Sequence, residues 1–249
     1  MNGRLQIAVF AGALASQAVA ADFAIENEIL VDGKVVQKGW TIFSDEKIID
    51  AQVPDEHVSQ PNITVYSSDK KEFRVLSPKT KKQSVVTSSR LRSMAAEMTV
   101  LAKDEQPFIK FAARPKFNVS YSEKAQKLTL RSEIWTYTAT KNEHAQAESL
   151  AARYKAFADA FANFNILSSP VPPNARLELN RRMAENNIFP GTVSISIRNG
   201  HNIERMSRHT IHTKLSDEHE KIIQSATVGM KNYRLVTMDK FWPNLVARR

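Results

Sequence analysis

The chain of 249 residues contains no cysteine, which excludes disulfide bonds, thiolate metal sites and thiol nucleophiles. A lipid-anchored lipoprotein is excluded for the same reason, because its lipid is attached to a cysteine at the cleavage site. Only seven glycines are present, and three of them, Gly33, Gly191 and Gly200, stand at predicted turns. A glycine-rich phosphate cradle is therefore excluded as well. After Leu14 no apolar stretch approaches the roughly 20 residues that a membrane span needs, so we predict a processed chain that is not transmembrane.

Familiar catalytic and metal-binding motifs are also missing. The two closest histidines, His209 and His212, are three residues apart on a predicted strand, which places them on opposite faces. No Gly-x-Ser-x-Gly elbow and no Ser-x-x-Lys with its partner motifs occurs. Glu26 and Glu28 share one face of a predicted strand, where like charges affect each other's pKa, but exposed strand faces carry such pairs routinely. The sequence therefore indicates no catalytic residue, no metal ligand and no cofactor, and nothing in it supports an enzyme.

The N-terminus, in contrast, carries a clear targeting pattern. A short basic end, Met1–Arg4, precedes an apolar run over Leu5–Ala15, and small residues follow at Ala18 and Ala20. This order is typical of a secretory signal peptide. We predict a signal peptide over 1–20 that is cleaved after Ala20, with cleavage after Ala21 as the alternative. An exported protein without disulfides points to a bacterial envelope, so we expect it in the periplasm or secreted.

The chain is basic, with a net charge of +9, and the predicted signal peptide contributes only Arg4 to that excess. The densest run is formed by Lys79, Lys81 and Lys82, with Lys70 and Lys71 beside it in the sequence. Aromatic residues are not interleaved with these lysines as a nucleic-acid groove requires, and export removes most nucleic-acid roles. An anionic envelope surface is therefore the expected polar partner, and a charge excess that only aids solubility is the alternative.

The first half of the chain alternates as antiparallel strands do. Phe23, Ile25 and Ile29 share one parity, and Asp32-Gly33 then supplies a two-residue turn that needs positive φ. The chain returns through Val35 to Phe43. Further strands are predicted at Lys47–Val53, Asn62–Tyr66, Glu72–Leu76, Gln83–Val86, Phe117–Tyr121, Leu128–Ala139 and Thr192–Arg198, the last followed by an Asn199-Gly200 hairpin.

Helical periodicity predicts four helices. They run over 89–102, 142–165 and 175–187, the third capped by Asn174, and from a Ser216 cap to about Val228. Phe108–Phe111 is either a helical turn or part of a strand. We expect residues 21–249 to form a single α+β domain. Its mainly antiparallel curled sheet would be an incomplete β-barrel with amphipathic helices on the concave face.

Several strands are apolar at both parities, as at Val35-Val36, Ile48-Ile49 and Val85-Val86. A sheet that is apolar on both faces is covered on both sides or encloses a cavity. The helices at Leu91–Ala102 and Ala147–Phe164 would cover one face. They would leave either an apolar pocket or an ordinary packed core beneath them.

Two resemblances follow from these elements. The segments Phe108–Ala113 and Pro172–Asn180 resemble uncharacterised exported proteins of planctomycete-type bacteria, a likeness that implies no activity. The order of hairpins and helix over Phe23–Tyr137 is similar to the periplasmic lipoprotein-carrier class, in which a half-barrel shelters acyl chains. The helices over 142–187 depart from that plan, and no family motif carries over a functional residue.

The sequence thus leaves two hypotheses of different classes. The first is an exported non-enzymatic protein that binds a lipid or acyl chain in a half-barrel. The second is a basic envelope scaffold that binds anionic partners. A hydrolase would need a carboxylate pair or a Ser–His contact in a cleft, which the sequence does not indicate.

Overall fold

A computed structural model of the chain describes residues 22–44, 47–56, 58–199 and 201–242. The predicted signal peptide at 1–20 and its cleavage after Ala20 or Ala21 lie outside these residues. One of the six histidines, His57, lies outside them as well. Twelve strands form one sheet in the order β12-β6-β5-β4-β3-β2-β1-β11-β10-β9-β8-β7. Every described pair is antiparallel except β12 with β6. The two edge strands, β12 and β7, do not pair with each other in the part of the chain that the structure describes, so the sheet is open.

The predicted first hairpin is confirmed as β1 (Phe23–Val31) and β2 (Lys34–Ser44). Asp32 and Gly33 between them have φ angles of 51° and 74°, as a turn that follows the strand twist requires. The meander continues through β3 (Lys47–Gln52), β4 (Ile63–Ser67), β5 (Glu72–Ser77) and β6 (Lys82–Thr87). The strands predicted for this half are therefore confirmed within one residue at most ends.

The middle of the chain corrects one prediction. Leu128–Ala139 forms two strands instead of one, because Ser132 reverses the chain. Its hydroxyl accepts the N–H of Trp135 at 2.9 Å. The elements here are α1 (Ser88–Leu101), α2 (Pro107–Ala113), β7 (Asn118–Ser122), β8 (Lys127–Arg131) and β9 (Trp135–Lys141).

The second half contains α3 (Ala147–Phe164), α4 (Asn174–Glu185), β10 (Pro190–Asn199), β11 (His201–His212) and α5 (Asp217–Asn232), with β12 (Arg234–Leu235) and α6 (Met238–Phe241) at the end. Ser216 caps α5 as predicted. Asn174 does not cap α4, because it is already helical and its amide donates to the carbonyl of Ala113 at 2.7 Å. The short elements β12 and α6 were not predicted.

Helices cover the sheet on both sides. We call the side that carries Phe23, Ile25 and Phe43 face A, and the side that carries Ala24 and Ile42 face B. Helices α1 to α4 pack on face A, over two contiguous apolar clusters. Helix α5 packs on face B over β1 to β5. The expected α+β class, with an open antiparallel sheet and packed helices, is confirmed.

Aromatic rings fill the layer between face A and its helices. The rings of Phe43 and Phe157 meet edge to face with centroids 5.6 Å apart, and those of Phe73 and Phe164 stack at 4.6 Å. Phe23, Phe43 and Phe73 are fully buried, and each such side chain contributes about 1.5–3 kcal/mol by leaving water. A cavity between α3 and α4 has a volume of about 10 Å³, which is about enough for one water molecule.

The helices do not have the character of membrane spans. Within the described residues, none combines the length and the apolar composition that crossing a bilayer would take.

Candidate interaction surface

The five lysines that are close together in the sequence lie at two separate turns of the sheet. Lys70 and Lys71 lie in the turn between β4 and β5, whereas Lys79 and Lys81 lie in the turn between β5 and β6. These turns are at opposite ends of β5, a strand of six residues, and therefore about 20 Å apart. The lysine-dense stretch of the sequence is thus not a single patch in the folded protein.

The C-terminal segment adds new cations to one of these ends. β12 pairs in parallel with β6, and Arg234 lies opposite Lys82. The N–H of Arg234 donates to the carbonyl of Lys81 at 3.0 Å, and the N–H of Val236 donates to Gln83 at 2.8 Å. α6 then packs against β6. We call the resulting group of cations the basic edge; its members are Lys79, Lys81, Lys82, Lys231, Arg234 and Lys240.

A buried glutamine fixes this segment in place. The side-chain amide of Gln83 donates to the carbonyls of Met230 at 3.2 Å and Tyr233 at 2.5 Å, and its oxygen accepts from Arg74 at 2.6 Å. Gln83 is only 4% exposed, so these bonds satisfy groups that burial would otherwise leave without water. The ammonium of Lys81 lies 5.1 Å from the centre of the Tyr233 ring. The basic edge is therefore a built part of the fold.

The six cations keep their charge available. Five are exposed and Lys82 is half-buried, and none of them forms an ion pair with a carboxylate among the described residues. The acidic side chain that shares this segment is Asp239. A hydrogen bond from Thr237 holds its pKa below the usual range. Because the six cations outnumber this one carboxylate, the edge is strongly positive.

The arginines of α4 show the opposite arrangement. Arg181 and Arg182 donate to Glu178 at 2.6 and 2.9 Å, and both also reach Glu185. The hydrogen bond from Arg181 holds the pKa of Glu178 below its usual range. Exposed pairs of this kind add little stability, at most about 1 kcal/mol each, but they cancel charge. The charges of Arg181 and Arg182 are therefore largely cancelled within α4 itself.

The carboxylate pair singled out in the sequence is likewise neutralised. Glu26 and Glu28 lie on face B as predicted, and the ammonium of Lys38 is 3.9 and 2.8 Å from them. Arg208 also pairs with Glu28 at 3.1 Å. The hydrogen bond from Lys38 holds the pKa of Glu28 below its usual range. Because both carboxylates face cations, they are poorly suited to share a proton as a catalytic dyad.

Four histidines lie among the residues whose side chains the structure describes: His144, His209, His212 and His219. His209 and His212 point to opposite faces as predicted, and burial lowers the pKa of His209 to about 3. His144 is half-buried, and its Nδ1 accepts the N–H of Gln146 at 3.1 Å. The structure brings His212 within 6.0 Å of His219, centre to centre, which sequence reasoning missed. No group of three metal-ligating side chains occurs among the described residues.

A polar row across face A was also missed. The amide of Asn27 donates to the hydroxyl of Thr41 at 2.8 Å, and that hydroxyl donates to the Asp50 carboxylate at 2.8 Å. Burial raises the pKa of Asp50 to about 6. A signal was available, since Asp50 stands at the same parity as the core residue Ile48. The row therefore contains one carboxyl group with a raised pKa, and among the described hydrogen bonds no second acidic group lies beside it.

Comparison with known proteins adds little to this description. No protein-family model matches the chain, and no curated protein is similar to it. Among solved structures the chain is similar to PNGF-II, with a TM-score of 0.37 and 9% sequence identity. That match covers 92% of this chain and 33% of PNGF-II, so the chain spans about a third of the length of that protein. A likeness this weak carries no argument about fold or activity.

Proposed function

We propose that this protein is a non-enzymatic binding protein of the cell envelope, and that the basic edge holds an anionic surface. The observation that carries the proposal is the return of the C-terminal segment onto β6. It places Arg234 beside Lys82 and leaves both without a described carboxylate partner. The exported location stays a prediction that rests on the N-terminal sequence.

The geometry of the edge favours a broad anionic surface over a small anion. Lys231 lies in the last turn of α5 on the face B side, Arg234 lies in the edge strand, and Lys240 belongs to α6 on the face A side. The cations therefore surround an edge instead of converging on one point. Leu235, which is 63% exposed, lies among them and gives an acidic membrane an apolar contact. Each cation near such a membrane adds about 1 kcal/mol of attraction.

The test compares two variants with the same change in net charge. The edge variant replaces four cations of the basic edge by glutamine: Lys81, Lys82, Arg234 and Lys240. The control variant replaces four exposed lysines elsewhere by glutamine: Lys103, Lys110, Lys116 and Lys124. Binding to vesicles with and without acidic phospholipid is measured by co-sedimentation at low and at high salt.

We expect the edge variant to lose at least about 100-fold in affinity for acidic vesicles, and the control variant less than about fivefold. Binding of the unmodified protein should weaken steeply with salt, because exposed charges are screened over about 10 Å at 0.1 M. Equal losses in both variants would mean that net charge alone attracts the protein, and the proposal would fail. An acidic polysaccharide bound in place of vesicles, with the same dependence on the edge, would identify the anionic surface as a polymer.

Binding of a lipid or acyl chain inside the half-barrel stays a prediction. An acyl chain would have to separate α3 from the Phe23 and Phe43 rings, because that layer is packed and the α3–α4 cavity has room for about one water. Native mass spectrometry of protein purified from its own envelope would test this, since a retained lipid adds a defined mass.

A further inference from the structure

The third residue of helix α5, His219, has a structural role at the start of the helix. The N–H of Ser216 donates to Nδ1 of His219 at 2.9 Å, and the N–H of His219 is 3.5 Å from the Ser216 hydroxyl. This is a capping box, in which the third helical residue returns a hydrogen bond to the cap. Glutamate or glutamine usually fills that position. Because Nδ1 accepts here, the imidazole must be neutral and carry its proton on Nε2.

The same imidazole holds α5 against the sheet. His219 is 1% exposed, and its ring meets the Trp40 ring edge to face with centroids 4.2 Å apart. Its Nε2 is buried without a hydrogen-bond partner in the described residues. The Trp40 indole N–H in turn donates to Glu218 of α5 at 3.3 Å. Two consecutive residues of α5 therefore fix its first turn on one tryptophan of β2.

The charges around His219 come from four elements. On α5 lie Asp217, Glu218 and Glu220, and on β11 His212 is 6.0 Å away, centre to centre. On β1, Glu26 is 3.6 Å from Nε2 of His212 and is shared with Lys38 of β2, while Glu28 pairs with Lys38 and Arg208. Burial, and then the neighbouring His212, lower the pKa of His219, while Glu218, Glu220 and Glu26 oppose this.

We propose that proton uptake by His219 releases the first turns of α5 from face B. The proton would occupy Nδ1, so the Ser216 N–H loses its acceptor and two N–H groups face each other. The new positive charge would also be buried beside His212. Release relieves both costs and uncovers Trp40 and Ile42 at the sheet surface.

The direction of the effect follows from linkage. Docked α5 binds protons less readily than free α5, because the pKa of docked His219 lies below its ordinary value of 6.5. The docked form therefore keeps its full stability above about pH 6.5 and loses it as the pH falls below that value. Asp50 acts in the opposite direction, because burial raises its pKa to about 6. Since the two effects oppose each other in global unfolding, the measurement must be local to α5.

The experiment measures amide hydrogen exchange of α5 at pH 7.5 and pH 5.0, corrected for the intrinsic pH dependence of exchange. The test variant is His219→Gln, because glutamine keeps a capping oxygen for Ser216 and does not titrate. The matched control is His144→Gln, which removes another histidine whose Nδ1 accepts a backbone N–H. A second measurement follows the His219 ring of the unmodified protein by NMR through the same range.

In the unmodified protein and in the His144 variant, we expect protection in the first two turns of α5 to fall at least tenfold at pH 5.0. His219→Gln should keep its protection. Unchanged protection in the unmodified protein, or an equal loss in His219→Gln, would overturn the proposal. If the variant does not fold, the NMR titration decides. Protonation of His219 while α5 stays protected overturns the proposal, and protonation together with loss of protection supports it.

Discussion

The two halves of face B differ in what they carry and what covers them. In β2 to β5 this face holds Ile42, Ile49, Val65 and Leu76, all of them buried beneath α5. In β7 to β10 it holds hydroxyl side chains in matching register, with Thr138 between Thr129 and Ser194. These are only partly buried, and the helices that contact β8 and β10 lie on face A.

This difference shows how strand patterning determines the number of layers. In β9 the apolar residues Trp135, Tyr137 and Ala139 alternate with threonines, so one face needs cover. In β3, Ile48 and Ile49 are both apolar and face opposite sides, so both faces need cover. The second half of the sheet is therefore a two-layer structure, and the first half has three layers.

The largest expected effect tests the cover on face B directly. Ile42→Ala should lower the free energy of unfolding by about 2–5 kcal/mol, because it removes a buried side chain and leaves a cavity beneath α5. Thr138→Ala, on the same face in the other half, should change it by no more than about 0.5 kcal/mol. Urea unfolding measures both variants. Similar losses would contradict the distinction between the two halves.

A smaller effect concerns the polar row beneath the face A helices. The pKa of Asp50 is raised from 3.8 to about 6 in the folded protein. Above pH 6 the buried carboxylate is therefore charged, and this charge lowers the stability of the folded state. Asp50→Asn removes this charge and keeps an acceptor for the Thr41 hydroxyl. It should raise stability by about 1–3 kcal/mol at pH 7.5, since one pKa unit corresponds to about 1.4 kcal/mol. The gain should shrink as the pH falls from 6 towards 4.

Urea unfolding of this variant as a function of pH checks the prediction. Thr138→Ala again serves as the control, because its effect should not depend on pH. A gain for Asp50→Asn that is the same at pH 4 and pH 7.5 would show that the carboxyl does not titrate in this range.

The smallest effect belongs to the paired charges where the two halves meet. Glu28→Gln removes the partner of Lys38 and Arg208, whose side chains are 50% and 51% exposed. The loss should be below about 1 kcal/mol at low salt and close to zero in 1 M salt. The lowered pKa of Glu28 gives stability above its unfolded pKa that is lost as the pH falls through the folded value. Thermal unfolding at two salt concentrations measures the loss; a loss that salt does not reduce would contradict this account.

Much of this fold was predictable from local pattern. The Asp32-Gly33 turn, the alternation of β1 and β10, the apolar stripe of α3 and the Ser216 cap each depend on residues close in sequence. The error at Ser132 arose because a side-chain hydrogen bond reversed a chain whose apolar pattern continued without interruption. The opposite faces of His209 and His212 followed from strand parity alone.

The sites were less predictable, because their residues are far apart in the chain. Tyr233 meets Lys81 across 152 positions, and Trp40 meets Glu218 across 178 positions. Neither pair produces a local period that sequence reasoning can detect. The basic edge and the contact between His219 and Trp40 therefore depend on the tertiary arrangement of the strands and helices.

The sequence by itself determined most of the longer strands and helices, which parity of those strands is apolar, and that no cysteine or glycine-rich chemistry is available. These properties depend on backbone preferences and on the transfer of side chains from water, both of which act over a few residues. Only the tertiary structure decided that α5 covers face B, that β12 joins β6, and that six cations share one edge. Those outcomes depend on contacts between distant segments, whose free energy exists only in the assembled fold.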